Sequence, residues 1–253
     1  MTLKTTDFVG SFAKGLRVIE AFTSDAPRRS ISEVAGNTGL DRATTRRSLL
    51  TLAELGYADY DGKYFTLTPK VLRLGTGCLA AMPLPRIVQP FLDELSAAIG
   101  QSTSVSILDG DEIVYVARAA QQRLMSINLM PGSRLPAYCT SMGRVLLAAL
   151  EREDAIIRLK RQPLPARTAK TITSVGAIMA LLEKTLADGY AIIDQEVEMG
   201  LRSIAVPLFN ARGQTVAALN VGVATIHADP SELRSIYLER LIGVQSALRT
   251  NLR

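Results

Sequence analysis

Apolar positions in the first eighty residues repeat at helical spacing and then switch to alternation. Phe12, Leu16, Ile19 and Phe22 fall at the spacing of one helix. Ser30-Ile31-Ser32-Glu33 has the form of a capping box and starts a second helix, which Gly39 can end. Asp41 suits the N-cap of a third helix running to about Leu55, with Thr45, Leu49, Leu52 and Gly56 on its inward face. Two short runs follow, 58–60 and 64–67, and Asp61-Gly62 between them is a hairpin dipeptide. Thr68-Pro69 can cap and open a further helix. Helix, helix, turn, helix and hairpin make a winged helix-turn-helix.

Beyond residue 80 the pattern alternates between elements. A helix over 84–99 ends at Gly100, and Pro90 either kinks it or marks its true start. Strands at 104–108 and 112–117 flank Asp109-Gly110, a second hairpin signal. A strand near 124–129 precedes the turn Pro131-Gly132. Helices are expected over 140–149, 152–161 and 175–188, then strands over 190–194, 203–209 and 215–223, then an amphipathic helix over 231–248. Helices outside one mostly antiparallel sheet make an α+β domain. The chain divides near residue 80, where Met82-Pro83-Leu84-Pro85 reads as a linker because each proline restricts the residue before it.

Composition narrows the class. Hydrophobic residues make up 47% and charged residues 21% of 253, which excludes a disordered, collagenous or coiled-coil chain. The net charge of +5 permits an acidic partner, and residues 1–80 carry 11 Lys or Arg against 8 Asp or Glu. Two cysteines, Cys78 and Cys139, are too few for a secreted disulfide scaffold, and the start of the chain does not read as a signal peptide. No stretch is apolar enough for a membrane span, so a cytoplasmic location is expected. With His227 the single histidine, neither a zinc site nor a Ser-His-Asp triad is expected; no metal, cofactor or catalytic residue is assigned.

Three stretches carry candidate chemistry. In the third helix Ala43, Thr44, Arg47 and Thr51 share the outward face, Arg46 lies on its flank and Arg42 in its first turn. Arginine can pair with guanine O6 and N7, and threonine can meet bases or a thymine methyl. Arg42, Thr44, Thr45, Arg46 and Arg47 are the candidate DNA contacts of this helix, with Lys63 near the hairpin tip for phosphate. Each feature alone fits a solvated basic helix; together they point to DNA. In the second stretch, Cys139-Thr140-Ser141-Met142 opens an apolar helix whose free N–H groups could receive a carboxylate. The alternative is that Thr140 is an N-cap and Cys139 a small core residue. In the third stretch Asp194, Glu196 and Glu198 alternate as if on one face of a strand, which suggests acid–base work or, for Glu198, a solvated loop. Gly75-Thr76-Gly77 lacks the rest of any nucleotide fingerprint, and Ser141 is not in a G-x-S-x-G elbow. An enzyme on the α+β domain and a ligand-free architectural DNA-binding protein remain as alternatives.

The segments GLDRATTRRSLLTLAELGY (39–57), LPAYCTSMGRVLLA (135–148), DGYAIIDQEVEMGLRSIAVPL (188–208) and GQTVAALNVGV (213–223) resemble the IclR family of bacterial transcriptional regulators. YCTSMGRVLLA, preceded by MSINLMPGSRLPA, also resembles the subgroup that controls aromatic-acid breakdown through protocatechuate and the β-ketoadipate pathway. The resemblance implies a winged helix-turn-helix over 1–68, a linker helix over 69–85 and a GAF-like effector-binding domain over 86–253. It implies no catalysis, a palindromic operator, a homodimer or homotetramer, and RNA polymerase as a further candidate partner. It places a small carboxylic-acid effector against Cys139, Thr140, Ser141, Met142 and Ser203, with Asn220 as a further candidate, Asp194 beside them and Leu201 as an apolar wall. Members that take small keto-acids carry an F-D-D run where this chain has Ile192-Ile193-Asp194, a departure that fits a larger, partly apolar effector.

Overall fold

The computed structural model describes residues 7–23, 25–121, 129–161 and 163–252, with the backbone alone for 78–80. The chain forms two compact units, one ending at Met82 and the other beginning at Pro83. In the first, α1 (Gly10–Glu20), β1 (Arg28–Ser30), α2 (Ile31–Thr38), α3 (Arg42–Glu54), β2 (Ala58–Tyr60) and β3 (Tyr64–Leu67) precede a 3₁₀ turn, Pro69–Val71, that runs into α4 (Leu72–Ala81). The local signals explain most of this. Ser30 and Glu33 close a capping box, Gly39 ends α2 at φ +68°, and Asp41 caps α3 by accepting the Thr44 N–H at 2.8 Å. Val18, Val34, Leu49, Leu52 and Phe65 form the core.

Two features differ from the pattern reading. Only half of the first apolar stripe reaches this core: Ile19 and Phe22 pack against it, while Phe12 and Leu16 are 68% and 41% exposed, and Val18 is the buried residue of α1. Gly56 lies past the end of α3 with φ +73°, so it shares no helical face. The small sheet also has a third strand. Arg28–Ser30 pairs antiparallel with β3, in the order β1-β3-β2, although three residues of such polarity give no alternation to read.

The second unit opens with α5 (Pro83–Ile99), which runs unbroken through Pro90. Then come β4 (Ser102–Asp109), β5 (Glu112–Ala119), β6 (Arg134–Pro136), a 3₁₀ turn at Ala137–Cys139, α6 (Ser141–Ala148), α7 (Arg152–Arg161), α8 (Val175–Asp188), β7 (Ala191–Asp194), β8 (Leu201–Phe209), β9 (Thr215–Ala224) and α9 (Pro230–Leu248). Of the strand expected near 124–129, all but Leu129 lies outside the described residues, and Leu129 itself is not in a strand; the unforeseen β6 forms the sheet edge instead. All pairings in the sheet β6-β5-β4-β9-β8-β7 are antiparallel.

The two faces of this sheet carry different sizes of side chain. Ile204, Val206, Leu208, Leu219, Val221 and Val223 pack against α5 and α9. The opposite face, under α6, carries Ser203, Ala205, Ala218, Asn220 and Gly222 at the alternate positions. Small residues there let α6 sit close to the strands. Its first turn is equally tight: a Cβ on Gly143 would collide with the Ala137 backbone and the Thr140 hydroxyl. Gly143→Ala must therefore push α6 off its seat. The expected loss is about 1–3 kcal/mol, the range for overpacking, read as a lower melting temperature, whereas Gly176→Ala, at the start of α8 with only Ser174 Oγ near, should be nearly neutral.

Candidate functional site

Two places gather the chemistry, one in each unit. In the first unit Arg42, Ala43, Arg46 and Arg47 are exposed on α3, and Thr44 is half-buried. Thr45 is not a DNA contact. It is fully buried, and its hydroxyl donates to the Asp41 carbonyl at 2.9 Å. Thr51 likewise donates to the Arg47 carbonyl at 2.8 Å. Lys63 is exposed at the hairpin tip, where the turn is built by Asp61, whose carboxylate accepts the Lys63 and Tyr64 N–H groups at 3.0 and 2.9 Å. Those bonds, with the Arg28 guanidinium that pairs with the same carboxylate, hold Asp61 down at about 2. Arg28 and Lys63 both lie over the Tyr64 ring, at 4.4 and 5.0 Å. Among the described residues the tip thus keeps the Lys63 ammonium unpaired, while Arg28 is neutralised.

In the second unit a cavity of about 40 Å³ lies between α6 and the small-residue face of the sheet. That is room for more than one water. Thr140, Ser141, Met142, Leu201, Ser203 and Asn220 line it, and so do Ser102, Ser104, Tyr115, Arg118 and Gly222. Ser203 donates to Ser141 at 2.8 Å and closes one side. Met142 accepts from Ser106 at its sulfur, 3.2 Å away. Thr140 is spent as the N-cap of α6, accepting the Gly143 N–H at 3.1 Å and donating to the Pro136 carbonyl at 3.2 Å. The Asn220 amide oxygen is buried without a partner among the described residues.

Cys139 and Asp194 lie outside this lining. Cys139 is a fully buried core residue, and burial pushes its thiol up to about 11. Asp194 ends β7 and pairs with Lys170 and Arg202 at 2.6 and 2.7 Å. It shares no strand face with Glu196 and Glu198, because the strand stops. Gln195 adopts φ +60°, rare for a residue with a Cβ, and turns the chain inward. Glu196 is thereby buried and meets Arg144 of α6 at 2.7 Å. Burial pushes the Glu196 carboxyl up, opposed by Arg144 and the Ile172 N–H, and pushes Arg144 down, opposed by Glu196.

Arg118 is the charged cavity residue that alternation misses. Tyr115 and Arg118 are three apart, so a regular strand would put them on opposite faces. The pairings Val105↔Ala117 and Ser106↔Tyr115 leave Val116 as an extra residue, a bulge that aims both side chains into the cavity. The period-two run Ser102, Ser104, Ser106 on the neighbouring strand was the signal that could have found the floor. Arg118 donates to Ser104 Oγ at 3.2 Å and has no carboxylate partner among the described residues; burial lowers its pKa.

Removing one member of the buried pair should be costly. Glu196→Ala leaves Arg144 buried and unpaired and should destabilise the protein by about 3–5 kcal/mol; Arg144→Met with Glu196→Leu should recover most of that in chemical denaturation. Asp194 gives a pH dependence. Partial burial alone would raise its pKa, but hydrogen bonds from Lys170, Arg202 and Gln195 outweigh it and hold it at about 2 against an ordinary 3.8. A depressed carboxyl stabilises the fold above its unfolded pKa and loses that effect as pH falls from about 4 towards 2. Melting temperatures of wild type and Asp194→Asn should differ at pH 6 and converge near pH 2.

The chain matches the family described as bacterial transcriptional regulator IclR C-terminal over residues 76–247, and the IclR helix-turn-helix domain over residues 11–62. It is 43% identical over 243 residues to the Pca regulon regulatory protein of Pseudomonas putida, covering 96% of this chain and 84% of that one. It is 38% identical over 252 residues to the p-hydroxybenzoate hydroxylase transcriptional activator of Acinetobacter baylyi, covering 98% and 93%. The crystal structure of a double mutant of the PobR inducer-binding domain from Acinetobacter, in complex with 3-hydroxybenzoic acid, superposes with a TM-score of 0.62 at 34% identity, over 66% of this chain and 98% of that one. With its helix-turn-helix, its effector-type α+β unit and matches that span most of its length, the chain belongs to the IclR family of bacterial transcriptional regulators.

Proposed function

We propose that this regulator controls genes for aromatic-acid breakdown and that its effector is a small aromatic carboxylic acid of the hydroxybenzoate type. Arg118 carries the reading. A half-buried guanidinium with a neutral hydroxyl, and no carboxylate among the described residues, for a partner lines the cavity, and an anion is what relieves it. The relatives named for the Pca regulon and for p-hydroxybenzoate hydroxylase, and the solved domain holding 3-hydroxybenzoic acid, support the aromatic class. On the DNA side, Arg42, Thr44, Arg46 and Arg47 read the major groove and Lys63 holds phosphate.

The operator is palindromic, read by a homodimer that can pair into a homotetramer and act on RNA polymerase. Phe12, Leu16 and Leu74, large apolar side chains that the first unit leaves exposed, support the dimer. Two half-sites are also what a single winged helix needs to reach operator specificity.

Melting of the full chain with a panel of acids tests the effector. A hydroxybenzoate at 100 times its dissociation constant should add about 2.7 kcal/mol, while a panel with no shift would leave a DNA-binding protein without a ligand. Arg46→Ala and Arg47→Ala should each weaken operator binding roughly ten- to a hundredfold in gel shifts. Lys63→Ala should weaken all sequences alike and lower the salt slope by about 1. Unchanged operator affinity in both arginine variants would reject this face of α3.

A further inference from the structure

The cavity has two polar ends of different kind, and the sheet register places them. Arg118 on β5, Ser104 on β4 and Asn220 on β9 form one cross-strand row. Ser102, Gly222 and Ser203 form the next row on the same face. The guanidinium therefore starts three inter-strand steps from Ser203, each about 4.8 Å. At its end, Ser104 accepts from Arg118 and keeps its own hydroxyl hydrogen to give. At the other end stand two hydroxyls bonded to each other, Ser203 to Ser141, with no cation near them in the lining. Between the ends lies Gly222, above which an added Cβ meets nothing within 4 Å. Its backbone needs no left-handed φ, so the missing side chain is open floor and not a turn requirement. Asn220 beside it offers a buried amide oxygen with no donor.

We propose that the effector lies across this floor in one orientation: carboxylate on Arg118 and Ser104, ring over Gly222, and a hydroxyl para to the carboxylate between Asn220 and the Ser141–Ser203 pair; the cavity of about 40 Å³ is smaller than a benzoate, so the lining side chains move apart to admit it. The orientation rests on the aromatic-acid reading above. It is opposite to the expectation that the α6 N-terminus receives the carboxylate. Thr140 already takes the Gly143 N–H of that terminus, and the full charge is at the other end. The arrangement makes Arg118 the group that recognises any benzoate, and Ser203 the group that recognises the ring substituent. An ortho hydroxyl would point at neither Ser203 nor Asn220, so 2-hydroxybenzoate should bind no better than benzoate.

Calorimetry on the full chain with benzoate, 2-hydroxybenzoate and 4-hydroxybenzoate separates the ends. Arg118→Gln should weaken benzoate and 4-hydroxybenzoate by the same factor, about tenfold or more. Ser203→Ala should weaken 4-hydroxybenzoate roughly three- to tenfold and leave benzoate unchanged. Gly222→Ala should weaken all three while keeping the wild-type melting temperature, because the new methyl fills only the cavity. If Ser203→Ala weakens benzoate as much as 4-hydroxybenzoate, or Arg118→Gln weakens neither, the orientation is overturned while the effector class stands. If wild type binds none of the three, the effector class itself fails and the orientation with it.

Discussion

Arg144 cannot be buried alone, and the sensing unit is arranged around that requirement. Its guanidinium, 3% exposed, lies one turn into α6. A charge that deep needs a paired charge and further hydrogen bonds, or it costs several kcal/mol. Glu196 supplies the charge, and the Tyr138 carbonyl accepts from Arg144 Nε at 3.2 Å. Glu196 is held in turn by the Ile172 N–H at 3.1 Å, and its carbonyl accepts from Thr171 at 2.7 Å. One ion pair thus fixes the 3₁₀ turn before α6, the segment before α8 and the turn after β7. Val197, which walls the cavity, stands on that last turn, and Leu201, another wall, opens β8 just after it. The pair is a structural clamp, and the acidic run that resembles acid–base machinery in the sequence is part of it.

The cavity exists because the sheet has unequal faces. Branched side chains fill the face under α5 and α9. Serine, alanine, asparagine and glycine on the other face leave α6 close at Gly143 and the space beyond it open. The sheet side of the lining carries serines for the same reason, in place of bulk that would have excluded water. A ligand seated there touches α6 and β4, β5, β8 and β9 together. Binding can regulate only if those contacts are better in one state of the protein than in another, and a site spread over five elements is suited to sense their relative positions.

Local chemistry was legible from the residues themselves. The capping box at Ser30, the cap at Asp41, the helix over 175–188 and both hairpin turns depend on neighbours within a few positions, and all are formed. So are the antiparallel strands of the second unit and the serines of the cavity, Ser141 and Ser203. What depends on distant partners was not legible. The strand Arg28–Ser30 forms because β3 offers it an edge, and β6 because β5 does. Thr45 was counted among the DNA contacts although the helical wheel already put it on the inward face, where it is buried with its hydroxyl on the Asp41 carbonyl. Arg118 was hidden by a single bulged residue that rephases its strand, a choice made by pairing with β4 and not by the sequence around it. Glu196 was read with Asp194 because alternation was carried through Gln195, where the backbone reverses. The sequence determined the elements, their caps and the family, since these rest on short-range bonds and residue types. Which charges are buried together, and which lone cation faces the cavity, was decided by tertiary structure, because desolvation is a property of everything that surrounds a group.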